Sequence, residues 1–239
     1  MIDLMKRRRQ VCLFGTSANP PTGDGGHTGI VMALCQMERF DEVRVLPVYR
    51  HTFSTKRHLL APYDHRIKMC RLAFQSLPKA VVSTAEQKSF QRMVEESMTQ
   101  QEVEALRVGT ADLLEMLMEE EPDTDFSFCL GADTFIDLTA WKWRRSKDVL
   151  KLLDGRLVVL HRKGMTSDDL RDRIDALNKA DGRGHVVAME IPTLRNVSSS
   201  SVRSSTEEAN LSSMVSPEVL EYMKNNKLYA FSEDPCEET

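Results

Sequence analysis

The sequence predicts an α/β fold, a doubly wound parallel sheet of five to six strands with flanking helices. Short β-rich runs alternate with helical patterns, which is typical of strands joined by crossover helices into a parallel sheet. A glycine-rich turn directly follows the first run, at the position where such sheets bind anions. The β-rich runs are residues 11–14, 43–48, 80–83, 126–130, 157–160 and 186–190.

The helical patterns between these runs begin at recognisable signals. The first helix is predicted to begin near Gly26, so that burial of its apolar face holds His27 at the first turn. Residues 84–121 are predicted to be partly a helical insertion, because they are rich in Glu, Gln, Met and Leu and exceed a minimal crossover. The expected buried stripe of the first helix is Ile30, Ala33, Leu34 and Met37.

Composition narrows the classes of function. The chain has 239 residues, 41% of them hydrophobic, and can bury a sizeable core. Its net charge of −4 gives no general attraction to nucleic acid, so an anionic ligand needs a local basic cluster. The five cysteines lack a C-x-x-C pair, and no apolar run reaches the length of a membrane span. We expect a cytoplasmic protein without nucleic-acid or membrane partners, and interpret the basic residues 6–9 as a lead-in to the first strand rather than a nuclear signal.

Two distant segments have the features of phosphate-binding sites. Residues 15–27 form a glycine-rich turn after the first strand, and residues 196–203 contain four serines at a predicted helix start. Both expose backbone N–H groups, and a helix N-terminus adds the positive end of its dipole. The turn lacks the Gly-Lys-Ser/Thr of a Walker loop and the G-x-G-x-x-G of dinucleotide folds, which disfavours ATP hydrolysis and hydride transfer. A surface turn and a flexible serine linker are the alternatives.

These segments resemble the two motifs of the T/HxGH nucleotidyltransferase superfamily, and most of all those of nicotinamide or nicotinate mononucleotide adenylyltransferases. Residues 56–69, 130–133, 159–164 and 217–229, together with two tryptophans, follow in the family's order. The resemblance implies a Rossmann-like, single nucleotidyltransferase domain over residues 1–231. We expect residues 232–239 to form a disordered acidic tail.

The first motif departs from the family pattern. Either Asp24 stands at its first position, or Thr22 does and a two-residue insertion, Asp24-Gly25, follows it. We favour the insertion, because Pro21-Thr22 follows the family order and an unmediated carboxylate would repel a triphosphate. His27 keeps its place under both alignments.

The resemblance assigns residues to the ATP side of the site. It implies that His27 donates to a non-bridging oxygen of the α-phosphate, which is stabilisation of charge rather than nucleophilic catalysis. A polar helix cap is the alternative for His27. The catalytic residues implied are His27, Thr22, Lys56 and Arg203. The ATP-binding residues implied are Gly15, Thr16, Ser17, Gly26, His27, Arg162, Ser199, Ser200 and Arg203.

Other residues are assigned to the mononucleotide side. Trp141 is favoured as the platform for the pyridine ring, because its distance from Gly131 matches the bacterial pattern, while Trp143 stays open. One of the two tryptophans is expected in the core. A solvated charge is the alternative for Lys56, and Arg66 is as suited to bracing a loop as to touching substrate. The full set implied is Ser17, Lys56, Thr110, Gly131, Asp133, Trp141 and Trp143.

The function implied is transfer of AMP from ATP to a nicotinamide or nicotinate mononucleotide, which yields NAD or its deamido form and pyrophosphate. Mg²⁺ is the expected cofactor, although no residues are spaced as a protein metal site. The alternatives are cytidylyl or phosphopantetheine transfer by a related enzyme and a catalytically silent nucleotide-binding protein. Two questions stay open: whether the amide (nicotinamide) or the acid (nicotinate) mononucleotide is preferred, and whether the protein forms a homo-oligomer.

Overall fold

Six parallel strands form a single sheet in the computed structural model, which describes residues 7–50, 60–94, 99–161, 168–181, 186–191 and 197–232. The strand order is β3-β2-β1-β4-β5-β6, so the predicted doubly wound parallel sheet is confirmed. Each predicted β-rich run overlaps one strand, although the runs 43–48, 80–83 and 186–190 extend one residue beyond it. The strands are β1 (Arg9–Thr16), β2 (Glu42–Pro47), β3 (Ala80–Val82), β4 (Thr124–Gly131), β5 (Leu157–His161) and β6 (Val187–Glu190).

Helices connect the strands and cover both faces of the sheet. Three of them, α3 to α5, lie within residues 84–121, whose interpretation as an insertion stays a prediction. The helices are α1 (His27–Gln36), α2 (Tyr63–Phe74), α3 (Ala85–Val94), α4 (Gln100–Ala105), α5 (Thr110–Glu120), α6 (Ala132–Thr139), α7 (Ser146–Leu153), α8 (Asp168–Asp181), α9 (Ser199–Ser204), α10 (Glu208–Met214) and α11 (Pro217–Asn225). A 3₁₀ turn, Tyr229–Phe231, follows α11.

The core is divided by the sheet into two layers. Successive residues of a strand point to opposite faces, so Cys12 and Phe14 pack with α1, α2 and α9 to α11, whereas Val11 and Leu13 pack with α3 and α5 to α8. Helices on both faces explain why the central strands are apolar along their length. None of the helices among the described residues is long and apolar enough to cross a membrane.

Helix α1 begins one residue after Gly26, as predicted, but its buried face differs from the predicted stripe. Leu34 is fully buried, and so is Val31, which the prediction omitted. The other three predicted residues, Ile30, Ala33 and Met37, pack against the core while partly exposed. The buried face is therefore centred on Val31 and Leu34 rather than spread from residue 30 to 37.

The strand order reverses beside β1, whose neighbours are β2 and β4. In a doubly wound sheet the crevice for a ligand opens at this point, beyond the carboxyl ends of the strands. The loop after β1, the end of β4 and residues 48–50 after β2 all lie at this edge. This placement brings most of the predicted site residues to one side of the molecule.

Candidate active site

Thr22 and His27 form a compact unit at the start of α1. The Thr22 N–H donates to His27 Nδ1 at 3.0 Å, and the Thr22 hydroxyl lies 2.6 Å from the same nitrogen. Thr22 Oγ1 in turn accepts the His27 N–H at 3.0 Å. Because Nδ1 accepts a hydrogen bond, the proton of the neutral ring is on Nε2. Burial lowers the pKa of His27 to about 4, which keeps the ring neutral and a donor through Nε2.

The two glycines around His27 make this arrangement possible. A Cβ atom at Gly26 would lie 2.1 Å from Thr22 Oγ1, so only glycine lets Thr22 reach the imidazole. A Cβ atom at Gly29, inside α1, would lie 2.0 Å from the main-chain oxygen of Asp24. The turn that carries Asp24 therefore folds back onto the helix at Gly29.

Asp24 lies in an extra turn between Thr22 and the helix. The Gly26 N–H donates to the Gly23 carbonyl at 2.8 Å, which closes this turn, and the Asp24 side chain is exposed. Thr22, in contrast, is 1% exposed and contacts the imidazole. This geometry favours the alignment with Thr22 at the first motif position and Asp24-Gly25 as an insertion.

The late serine segment packs against the same loop, although it is about 180 residues away in sequence. Ser198 caps α9 by accepting the Ser201 N–H. Ser199 Oγ donates to the Pro20 carbonyl at 2.8 Å, across 179 positions of sequence. Arg203 Nη1 donates to the Asn19 carbonyl at 2.9 Å, and Nη2 donates to Ser200 Oγ at 3.2 Å. The structure thus brings the two predicted phosphate segments together.

Arg66 is buried and holds main-chain carbonyls of two neighbouring loops. It is 1% exposed and donates from Nη1 to the carbonyls of Val48 (2.7 Å) and Ser17 (3.1 Å), and from Nε to Ala61 (3.0 Å). These carbonyls belong to the loops after β1 and β2. Of the two roles open to Arg66 from the sequence, the contacts support the first, since it links the two loops that border the crevice.

The two tryptophans have different environments. Trp143 is partly buried and meets Phe128 edge to face, with ring centroids 6.5 Å apart. Trp141 is 56% exposed and has a left-handed backbone, with φ 62°. Lys147 Nζ lies 5.7 Å from the centroid of the Trp141 ring. The indole of Trp141 is open to a ligand while Trp143 packs on Phe128, which supports Trp141 as the platform and Trp143 as the core residue.

Gly131 and Asp133 lie at the carboxyl end of β4. Gly131 is its last residue and the N-cap of α6, and Asp133 is in the first turn of that helix with an exposed side chain. Gly15, Thr16 and Ser17 lie at the end of the adjacent strand β1 or just beyond it. The end of the sheet therefore presents short residues that let a ligand approach the backbone.

A small cavity of about 30 Å³ opens beside Gly15 at the ends of β1 and β2. Thr110, the first residue of α5, lines it, and its contact with the pyridine ring stays a prediction. Glu86 also lines it and accepts the Tyr49 N–H at 2.8 Å. Burial raises the pKa of Glu86 to about 7. The sequence gives no signal for Glu86, because nothing near it in the chain distinguishes it from a solvated helix residue.

Some predicted site residues cannot be placed. Lys56 and Arg162 lie outside the described residues, as does the tail from residue 233. Sequence reasoning also missed two residues that the structure brings to the loop, Asn19 and Tyr229. The Tyr229 hydroxyl donates to Asn19 Oδ1 at 2.7 Å. No local pattern could reveal a contact between residues 210 positions apart.

The two predicted phosphate segments, the loop after β1 and the start of α9, lie against each other beside a neutral imidazole donor. This arrangement suits the transfer of a nucleotidyl group and is that expected of an α/β nucleotidyltransferase. Residues 13–205 match the model of the cytidylyltransferase-like family, and the chain belongs to that family. The match confirms the superfamily that the two motifs predict.

Individual relatives agree with this assignment. The probable nicotinate-nucleotide adenylyltransferase of Anaeromyxobacter dehalogenans strain 2CP-1 is 30% identical over 164 residues, 67% of this chain and 74% of the relative. The protein of the same description in strain 2CP-C is 26% identical over 230 residues, 94% of this chain and 99% of the relative.

The fold is also found in solved structures. The nicotinic acid mononucleotide adenylyltransferase of Plasmodium falciparum, solved in complex with NaAD, superposes with a TM-score of 0.68 at 19% identity, over 95% of this chain and 100% of that one. A putative nicotinate-nucleotide adenylyltransferase of Vibrio parahaemolyticus gives a TM-score of 0.56, also at 19% identity, over 95% and 97%. At these identities the likeness shows the shared fold.

Proposed function

We propose that this nucleotidyltransferase transfers AMP from ATP to the 5′-phosphate of a nicotinate or nicotinamide mononucleotide. The observation that carries the proposal is the Thr22–His27 unit, which fixes a neutral imidazole with its proton on Nε2 at the start of α1. Its place on the loop that also receives Arg203 supports a role at the phosphates of ATP. The descriptions of the relatives and the exposed Trp141 support a pyridine mononucleotide as the acceptor.

In the proposed reaction, an oxygen of the mononucleotide phosphate attacks the α-phosphorus of ATP in line. A bond from this oxygen to phosphorus forms, and the bond from the α-phosphorus to the bridging oxygen breaks, so that pyrophosphate leaves. Negative charge on the non-bridging oxygens increases as phosphorus becomes five-coordinate. A donor at His27 Nε2 stabilises that charge, and no covalent enzyme intermediate is needed.

The proposed ATP side is formed by the loop after β1 and by α9. The N–H groups of Gly15, Thr16 and Ser17 and the N-terminal turn of α9 act as donors to the phosphates, and Arg203 offsets their charge. Gly26 keeps the loop close to the helix start. By the family resemblance, Arg162 adds a cation on the ATP side and Lys56 one on the mononucleotide phosphate.

Mg²⁺ is the proposed cofactor. It prefers oxygen ligands and is bound through one or two carboxylates together with the phosphates of the substrate, so it needs no dedicated protein cage. This fits the site, since Asp133 offers an exposed carboxylate at the end of β4. When bound with ATP, Mg²⁺ offsets the charge of the leaving pyrophosphate. Asp133 would hold a metal-bound water or a ribose hydroxyl.

On the mononucleotide side, Trp141 offers a flat face to the pyridine ring, and Thr110 lines the neighbouring cavity. Gly131 lets the backbone approach the ribose. We place the reaction in the cytoplasm, and formation of a homo-oligomer stays a prediction.

The test is an assay of pyrophosphate release from ATP and Mg²⁺ with nicotinate mononucleotide and nicotinamide mononucleotide separately, with identification of the dinucleotide formed. Turnover of at least one of them is expected. Parallel assays with CTP and with phosphopantetheine as acceptor distinguish the related transferases. Turnover with those substrates alone would reassign the acceptor, and ATP binding without any turnover would make the protein a silent nucleotide binder.

A further inference from the structure

Asp112 joins two segments of the proposed mononucleotide side. It lies in the first turn of α5, and its side chain is 18% exposed. Its Oδ2 accepts the Gly109 N–H at 3.1 Å and a hydrogen bond from Arg144 Nη2. Its Oδ1 accepts Arg145 Nη1 at 2.9 Å. One carboxylate thus contacts both the N-cap residue of α5 and the two arginines that follow Trp143.

The first of these segments, the start of α5, forms a wall of the small cavity beside Gly15. Gly109 and Thr110 both line that cavity. A Cβ atom at Gly109 would lie 2.8 Å from Asp112 Oδ2 and 3.1 Å from Arg144 Nη2. The carboxylate and the guanidinium therefore lie directly against the peptide that begins the helix.

The second segment, residues 141–145, carries both tryptophans and is bounded by two residues with a left-handed backbone. Trp141 has φ 62° and Arg145 has φ 60°. A residue other than glycine keeps such a conformation only where surrounding contacts hold it. The side chain of Arg145 donates to three carboxylates, those of Asp112, Glu115 and Asp148.

Glu115 provides a second link between α5 and this segment, but it does not reach the helix start. It lies one turn further along α5 and accepts Arg145 Nη1 at 2.9 Å. In the part of the chain that the structure describes, the Gly109 N–H is paired with Asp112, and Glu115 pairs with Arg145 only. Loss of Asp112 would release the Gly109 peptide and Arg144, while Glu115 would still hold α5 to Arg145.

We propose that Asp112 is a positioning residue of the mononucleotide site, which fixes the cavity wall at Thr110 relative to the loop that carries Trp141. This inference rests on the proposed function, in which Thr110 and Trp141 both contact the pyridine mononucleotide. Asp112 determines where these two residues lie before the ligand binds, and such preorganisation strengthens binding. The proposed ATP side is formed by other elements, the loop after β1 and α9, and should not depend on Asp112.

The experiment is steady-state kinetics of pyrophosphate release, with the mononucleotide that the wild type turns over and with ATP, each varied in turn. Asp112→Ala is expected to raise KM for the mononucleotide about tenfold or more, because the two contacting residues lose their relative placement. KM for ATP and kcat should stay within about threefold of wild type. Asp112→Asn keeps an oxygen for the Gly109 N–H and should give a smaller rise.

Glu115→Ala is the matched control, since it removes a carboxylate partner of Arg145 and leaves the helix start untouched. Its KM for the mononucleotide should stay within about threefold of wild type. Gly109→Ala serves if Asp112→Ala does not fold, because the added Cβ displaces the carboxylate without removing a charge, and the same rise in KM is expected.

Two results would overturn the inference: equal rises in KM for ATP and the mononucleotide in the Asp112 and Gly109 variants, or equal rises for the mononucleotide in Asp112→Ala and Glu115→Ala. The first would make Asp112 a residue of general stability, and the second would reduce its role to packing α5 on α7. Failure of the proposed function has a different signature, since the wild type itself would then turn over neither mononucleotide, and the inference would fall with it.

Discussion

The two sides of the crevice are constructed differently. On the proposed ATP side two polar residues of the loop after β1 are buried and hydrogen-bonded within the protein: Thr22 is 1% exposed and Asn19 2%. On the mononucleotide side Trp141 leaves 56% of its surface to solvent. Under the proposed function, the phosphates would meet donors that are fixed before the ligand binds, whereas the pyridine ring would stack on an indole that is open to solvent. A preorganised donor favours the transition state, and an exposed aromatic face favours binding.

The buried titratable groups on the two sides show the same physical effect with opposite consequences. Burial lowers the pKa of His27 to about 4 and raises that of Glu86 to about 7, because in both cases it disfavours the charged form. At neutral pH the imidazole is uncharged and fixed as a donor. The carboxyl group of Glu86, which lines the small cavity beside Gly15, titrates in contrast within the physiological range.

The largest effect should come from His27. Its donor acts on charge that increases only in the transition state, so His27→Ala should lower kcat by about 10²–10³ and leave the affinity for ATP nearly unchanged. Steady-state kinetics and an ATP titration separate the two quantities, and circular dichroism controls for folding. A folded variant with normal kcat would remove His27 from the catalytic step.

Arg203 tests whether the second motif holds the triphosphate. A charge-assisted hydrogen bond contributes about 1.5–3 kcal/mol, so Arg203→Ala should weaken ATP binding by about 10–100-fold and AMP binding much less. Arg203→Lys is the matched control, because it keeps the charge without the planar fork that contacts both Asn19 and Ser200. Equal losses for ATP and AMP in calorimetric titrations would give Arg203 a structural role.

Replacing each tryptophan by alanine tests the proposed binding site of the pyridine ring. Stacking on an aromatic side chain contributes about 1–3 kcal/mol, so Trp141→Ala should raise KM for the mononucleotide about tenfold or more without affecting ATP. Trp143→Ala is the comparison, since this ring packs on Phe128 and its loss should lower the free energy of unfolding by about 2 kcal/mol. A rise of KM for ATP in the Trp141 variant would place the ring elsewhere.

Glu86 provides a pH test with a defined sign. Its folded pKa of about 7 lies above the ordinary 4.5, so the folded protein binds more protons between these values and its stability falls as pH rises through this window. Glu86→Gln keeps an acceptor for the Tyr49 N–H without the charge. Its free energy of unfolding relative to wild type should therefore increase by about 1 kcal/mol or more between pH 4.5 and 8 in urea titrations. A constant difference would show that Glu86 is solvated.

The sheet and both phosphate segments were predictable because their signals are local. Each strand is an apolar run, and each phosphate segment concentrates its small residues within a dozen positions. Thr22 could be chosen over Asp24 from residue order and charge alone. The structure added the reason, since Gly26 and Gly29 are the places where the extra turn approaches the helix.

The connections between segments were not predictable. Asn19 joins residues 42, 184 and 210 positions away, and such pairs leave no periodicity in one sequence. The different environments of Trp141 and Trp143 also depend on tertiary structure, since the two lie in the same short stretch and Trp143 packs on Phe128. Glu86 was overlooked because a carboxylate in an amphipathic helix is ordinarily solvated, and its cavity is formed by β1, β2 and α5.

The smallest effect is expected for the inserted turn, and it tests the motif itself. Asp24 is exposed and lies outside the Thr22–His27 unit, so Asp24→Ala should leave kcat within a few-fold of wild type. Thr22→Ala removes the hydroxyl that contacts His27 Nδ1 and accepts the His27 N–H, which at about 0.5–1.5 kcal/mol for a neutral hydrogen bond corresponds to a loss of about 2–10-fold.

Thr22→Ser is the matched control for the hydroxyl and should restore most of the activity, because its oxygen can occupy the same position. All four proteins are compared at saturating Mg²⁺, so that a weakened metal site does not lower the rate. If Asp24→Ala proved the more damaging change, the carboxylate would have to reach the phosphates through a metal ion, since directly it would repel them. The turn closed between Gly23 and Gly26 would then have to open when ATP binds, and the resting geometry would not be the catalytic one.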